Sequence, residues 1–142
     1  MKVFISGSHN ISKLDKNVTK VLNKLIKNKH EIFVGDCNGV DSSIQFYMQN
    51  KGYNNLTVYY VGENPRNAID SFYHQHVETE SNLTTYQFYQ QKDIRMTEDA
   101  DAGFVIWDEE TKGSLDNIRR LKELKKPVVV YSTKQNKLLK VV

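Results

Sequence analysis

"DADAGFVIWDEETKGSLDNI", Asp99 to Ile118, holds the pattern that decides the fold. Gly103 to Trp107 is an unbroken apolar run, short enough for a strand and bounded by acidic residues. A polar corner follows. Then Leu115, Ile118, Leu121 and Leu124 recur at helical spacing until Pro127 ends the pattern. A strand that does not alternate apolar and polar residues is covered on both faces, which is how strands of a parallel sheet read.

The same unit recurs outward along the chain. Val3-Phe4-Ile5 is a short apolar strand ending at Ser6-Gly7-Ser8. Val18, Val21, Leu22, Leu25 and Ile26 then stripe a helix, with Ser12 or Asp15 as its cap. Glu31 to Val34 predicts a second strand, stopped by "GDCNG". A helix follows, with Asp41 as expected N-cap and Ile44, Tyr47 and Met48 on one face. Leu56 to Val61 predicts a third strand and Val128 to Tyr131 a fifth, after the Gly103–Trp107 strand; "LLKVV" (Leu138 to Val142) suggests a short edge strand. The expected fold class is α/β: a Rossmann-like, three-layer α/β/α arrangement with a mainly parallel sheet of about five strands, forming a single domain over residues 1–142. The irregular part is the insert 63–99, rich in amides and tyrosines. It predicts a loop and then a helix from about Leu83 to Met96, and inserts of this kind form lids or subunit contacts.

Composition bounds the function. The chain has 142 residues, 39% of them apolar and 26% charged, as in ordinary soluble domains. Eight Tyr, six Phe and one Trp argue against disorder. No apolar stretch approaches the roughly 20 residues of a membrane helix, and "MKVFISGS" reads as a first strand instead of a signal peptide. Cys37 stands alone, which suits a reducing cytoplasm and makes the sequons at Asn10, Asn17, Asn55 and Asn82 incidental. The net charge is +3, with lysines scattered on helices that carry an apolar face. That distribution does not point to nucleic acid and fits an anionic small molecule equally well.

Parallel strands send the segments that follow them to one edge, where ligands of open α/β sheets bind. Four such segments here carry glycine and polar groups: Ser6-Gly7-Ser8, Gly35-Asp36-Cys37-Asn38-Gly39, Gly62-Glu63-Asn64 and Lys112-Gly113-Ser114. Helix starts add free N–H groups and partial positive charge, so phosphate is the expected guest.

Together and in this order, "MKVFISGS", "VGDCNGVD", "NPRN" and "DADAGFVIWDEETKGSLDNI" resemble the SLOG superfamily, close to its small YspA-like bacterial and phage members. That superfamily includes the lonely-guy phosphoribohydrolases, the DNA-processing protein A core and sensor domains for nucleotide-derived signals. The resemblance covers nearly the whole chain. It implies a ligand of nucleotide, ADP-ribose-like or cyclic nucleotide type at the carboxyl edge, in a homo-oligomer, with Gly7 and Ser8 facing it from the first loop. Gly35, Asp36, Gly39 and Asp41 would form the second loop. Gly113 and Ser114 match the Gly-Thr of the pattern "PGGxGTxxE", while Glu110, Thr111 and Lys112 depart from "PGG" and the glutamate position falls on Asn117. An amide cannot act as a general base or stabilise a sugar cation as a carboxylate does.

Two readings follow. In the first, the chain holds its ligand without turnover, as a sensor or a sequestering protein. In the second, it is a nucleoside-monophosphate N-glycosidase or nucleoside transferase, with Asp36, Asp116 or Glu63 replacing the missing glutamate. Arg66 in "NPRN" either pairs with a phosphate over the edge or sits on a lid. Asp36, following a central strand, suits ribose hydroxyls. Trp107 reads as core packing before base stacking, and Cys37 as a passive small residue. His74, His76, Glu78 and Glu80 alternate as an extended metal site would, but no further ligand motif supports them, so neither metal nor cofactor is expected. Lys92, Asp93 and Arg95 read as a solvated helix face.

Overall fold

The computed structural model describes residues 1–139. In chain order the elements are β1 (Lys2–Gly7), α1 (Lys16–Lys27), β2 (Glu31–Val34), α2 (Val40–Asn50), β3 (Leu56–Tyr60), β4 (Tyr73–His76), α3 (Thr85–Asp99), β5 (Ala102–Trp107), α4 (Lys112–Glu123), β6 (Val128–Ser132) and β7 (Lys137–Leu139). The strands form one seven-stranded sheet in the order β4-β3-β2-β1-β5-β6-β7. Neighbours from β4 through β6 are parallel, and β7 is antiparallel to β6. The fold is α/β and consistent with a Rossmann-like arrangement. Among the described residues no helix is long and apolar enough to cross a membrane.

The sheet has seven strands where the sequence suggested about five. β4 lies in the tyrosine-rich insert and reads as polar because it is an outer strand with Tyr73 exposed. Its polar sequence, Tyr-His-Gln-His, hides it from a search for apolar runs. β7 covers the start of the suggested C-terminal strand, and Lys140 to Val142 lie outside the described residues.

Alternation of side chains across the pleat divides the core. Val3, Ile5, Ile32, Val34, Val58, Phe104 and Ile106 pack with Val18 and Leu22 of α1 and with Val40, Ile44 and Met48 of α2. Phe4, Phe33 and Tyr59 point the other way, toward Met96 of α3 and Leu121 of α4. Two of the helices start at side-chain caps. Asp15 caps α1, its Oδ1 accepting from the amides of Asn17 at 2.8 Å and Val18 at 3.2 Å. Thr84 and Gln87 form a reciprocal capping box at the head of α3.

The order of connections positions the site. From β1 the chain steps outward through β2 and β3 to β4; α3 then carries it back to β5, on the other side of β1. The direction of winding therefore reverses between β1 and β5, and the helices that follow them, α1 and α4, pack into different parts of the core. Such a switch point opens a crevice outside the carboxyl ends of the strands.

Candidate functional site

The crevice is a cleft with two connected parts. The inner part, about 120 Å³, is lined by Ser6 and Gly7 at the end of β1, Cys37 and Asp41 after β2, Lys92 and Asp93 of α3, and Gly113, Ser114 and Asn117 of α4. The outer part, about 380 Å³, shares Cys37, Lys92, Asp93 and Gly113 and continues to Arg66, Thr85, Tyr86, Tyr89 and Gln90. The inner part gathers hydroxyl, amide and charged side chains around Phe4 and Gly7, and the outer part adds the rings of Tyr86 and Tyr89.

The β2–α2 corner is held by its own polar groups. Asp36 is fully buried and takes the Arg66 side chain at 2.8 Å and 3.3 Å, together with the Arg66 backbone amide at 2.8 Å. Asn67 donates to the Asp36 carbonyl at 3.0 Å, and Gln45 ties the same segment down through Asn67 O and the Ile69 amide. Arg66 therefore secures the "NPRN" loop to the strand end. Burial works against the charge of its guanidinium, but the hydrogen bond and charge of Asp36 raise its pKa above the usual value.

Asp41 does not cap α2. The helix begins one residue earlier, at Val40, with Gly39 at the cap position and φ of +82°, a backbone conformation that favours glycine. A Cβ at Gly39 would lie 2.3 Å from the His9 carbonyl oxygen, so the close approach of two backbones demands glycine there. Asp41, one position into the helix, instead accepts the Cys37 amide at 3.1 Å. Burial pushes its carboxyl up to about 7 against the opposing pull of Lys92, with Asp93 adding to the rise. The same surroundings push the Cys37 thiol up, burial first and Asp41 next, so it is not an activated thiolate.

Lys92 is the residue that sequence reading misplaced. It is only 5% exposed, reaching into the cleft floor to donate to Tyr89 O at 3.0 Å and Asp93 Oδ1 at 3.3 Å. Burial opposes its charge, yet Asp93, Asp41 and Asp36 together raise its pKa above the ordinary value, so the ammonium persists. Gly35 makes this possible: an added Cβ would stand 2.6 Å from Asp41 Oδ2 and 3.0 Å from Lys92 Cε. A signal for Lys92 does exist in the sequence. Phe88, Lys92 and Met96 fall four apart, on the stripe of α3 that faces the sheet. Arg95 does remain on the exposed face, paired with Asp99.

The β5–α4 corner is built differently. Asp108 accepts the amides of Glu110 and Thr111 at 2.9 Å and 2.8 Å and the Thr111 hydroxyl. Against its burial, these bonds hold the Asp108 carboxyl far below the usual carboxylate range. Thr111 is thus committed, and no side chain caps α4. Ser114, 2% exposed, lines the inner cleft, and its hydroxyl has no hydrogen-bond partner among the described residues. Gly113 lines both parts, and a Cβ there would meet nothing within 4 Å. Asn117 is buried and engaged: its amide nitrogen donates to Ser6 Oγ at 2.9 Å and Asp93 Oδ2 at 3.3 Å, and its oxygen accepts Arg120 at 2.6 Å.

Of the residues singled out from sequence, Gly7, Asp41, Gly113, Ser114 and Asn117 meet at the inner cleft and Arg66 at the outer. Gly35 and Asp36 lie behind it. Ser8 is buried and its hydroxyl accepts the Asp108 amide at 3.2 Å, joining the two loops and not facing the cleft. Gly7 is explained by packing, since a Cβ would come within 2.5 Å of Val40. Asp116 binds Tyr86 and Gln90 across the α3–α4 seam, and Glu63 is exposed on its loop. Trp107 packs beside Val105, Ile118 and Val130 and donates to Thr111 O at 3.0 Å. His74 donates to Ile69 O at 3.0 Å, and His76 lies beside the Tyr60 ring. Compared with known proteins, the chain matches no family model and no curated sequence.

Proposed function

We propose that the chain binds a nucleotide or nucleotide-derived ligand, ADP-ribose-like or a cyclic nucleotide, at the carboxyl edge of its sheet and holds it without turnover. It would then act as a sensor or a sequestering protein of SLOG type, three-layered, Rossmann-like and assembled as a homo-oligomer. The observation that carries this reading is the start of α4. There a buried hydroxyl without a partner among the described residues, a glycine with open space beside it and an uncapped helix end belong to residues that line one cleft. Buried hydroxyls are nearly always hydrogen-bonded, so an orphan on a residue of the cleft lining supports a place where a ligand atom completes the set. Uncapped amides and the positive end of the helix dipole favour a phosphate there. The buried ammonium of Lys92 adds positive charge to the cleft floor, and Asp93 offers a carboxylate to sugar hydroxyls.

The carboxylates nominated for catalysis support binding over turnover. Asp36 is closed off by Arg66, Asp116 is held by Tyr86, and Glu63 is absent from the cleft lining. One feature favours the alternative, a nucleoside-monophosphate N-glycosidase: Asp41 and Asp93 both line the inner cleft, with Asp41 holding its proton to about 7. Two carboxyl groups facing one cleft, one of them with a raised pKa, are the pairing that glycosidic cleavage uses. Incubation with a panel of nucleotides, followed by chromatography, separates the two. Intact ligand recovered from heat-denatured protein fits the binder, and free base whose release Asp93→Asn abolishes overturns it.

A further inference from the structure

The outer part of the cleft has a feature that phosphate binding does not use. Tyr86 and Tyr89, three residues apart on α3, present their rings to it beside Arg66. Tyr86 is 41% exposed. Each member of the group is nonetheless fixed in place. The Arg66 guanidinium lies 4.0 Å from the Tyr89 ring centroid while Asp36 grips its nitrogens. The Tyr86 hydroxyl donates to Asp116, and the Lys112 ammonium stands 4.9 Å from its ring. Flat groups held rigid at the mouth of a cleft lose little freedom when another flat group lies on them.

On the reading of the cleft as a nucleotide site, we infer that Tyr86, Tyr89 and Arg66 form the shelf on which the planar base of the ligand stacks. The chemistry is that of an aromatic heterocycle: aromatic faces and a guanidinium plane accept any base by stacking, without reading its edge. The dimensions agree. The inner part is too small for a whole nucleotide, and the outer part reaches the range of small-ligand sites, about 300–1,000 Å³. Gly113, which has no side chain, lines both parts, so a ligand whose phosphate rests at the α4 start can extend its base past it toward the tyrosines.

Calorimetric titrations with adenosine 5′-monophosphate and with ribose 5-phosphate test the shelf separately from the phosphate site. The wild type should prefer the monophosphate by about tenfold, the size of one base–aromatic stack. Tyr86→Leu should erase that preference and leave ribose 5-phosphate binding unchanged, while Tyr86→Phe, which keeps the ring, should retain it. Equal affinity for the two compounds in the wild type would overturn the shelf and leave the phosphate site standing. So would a Tyr86→Leu protein with its preference intact. Failure to bind either compound would overturn both the shelf and the nucleotide reading.

Discussion

Two strand–helix corners meet across the cleft, both carrying glycine and polar groups, and they differ in what those groups do. After β2, both glycines and Asp36 answer to the protein: Gly39 yields to the His9 backbone, Gly35 to Asp41 and Lys92, and Asp36 to Arg66. After β5, Gly113 touches nothing that would exclude a side chain, and the Ser114 hydroxyl has no partner among the described residues. In sequence the two corners look alike. Glycine in a loop therefore carries functional meaning only once packing has been ruled out as its cause.

If the β2–α2 corner is structural, the largest effect should come from breaking its ion pair. Arg66→Ala leaves the carboxylate of Asp36 buried without a counter-ion and should lower stability by about 3 kcal/mol, read from urea midpoints at constant slope. A loss below about 1 kcal/mol would mean that the Arg66–Asp36 pair does not hold the corner and would erode the contrast between the corners.

Asp41 gives the next effect, and its sign is fixed. In the folded chain it keeps its proton up to about 7, whereas the ordinary value is 3.8. Between those values the folded state binds more protons than the unfolded one, so stability falls as pH rises through that window. The stability of the wild type minus that of Asp41→Asn should decline from about pH 4 to about pH 7, by up to about 1.4 kcal/mol per unit, and level off above. A flat difference would show that Lys92 neutralises Asp41 fully.

Paired alanine substitutions sharpen the comparison. Gly39→Ala forces a side chain into a positive-φ site against backbone and should cost about 2 kcal/mol. Gly113→Ala enters open space in a helix and should stabilise the free protein by about 0.5–1 kcal/mol. Thermal unfolding of both variants, with opposite signs, is the expected result; two losses would mean that Gly113 too is structural.

Most of the sheet was legible because its strands are apolar runs between turn signals, and five apolar segments fall where β1, β2, β3, β5 and β6 form. β4 was not, because a polar outer strand has no apolar run to betray it. The edge of the sheet that gathers the candidate residues was legible too, since parallel strands send the segments that follow them to one edge. What could not be read were the pairings: Arg66 to Asp36, Asn117 to Ser6 and Tyr86 to Asp116 join residues 30 or more apart in sequence. Lys92 was misplaced because its type suggests solvent, although its spacing from Phe88 and Met96 placed it on the inward stripe.

The start of α4 as a ligand site is most directly tested by titrating ADP-ribose calorimetrically into the wild type and into Ser114→Ala. An orphan hydroxyl costs the free protein stability, so Ser114→Ala should be more stable alone, by about 1 kcal/mol, and bind at least about tenfold more weakly. Equal affinity in the two proteins, or no binding to the wild type, would contradict the account.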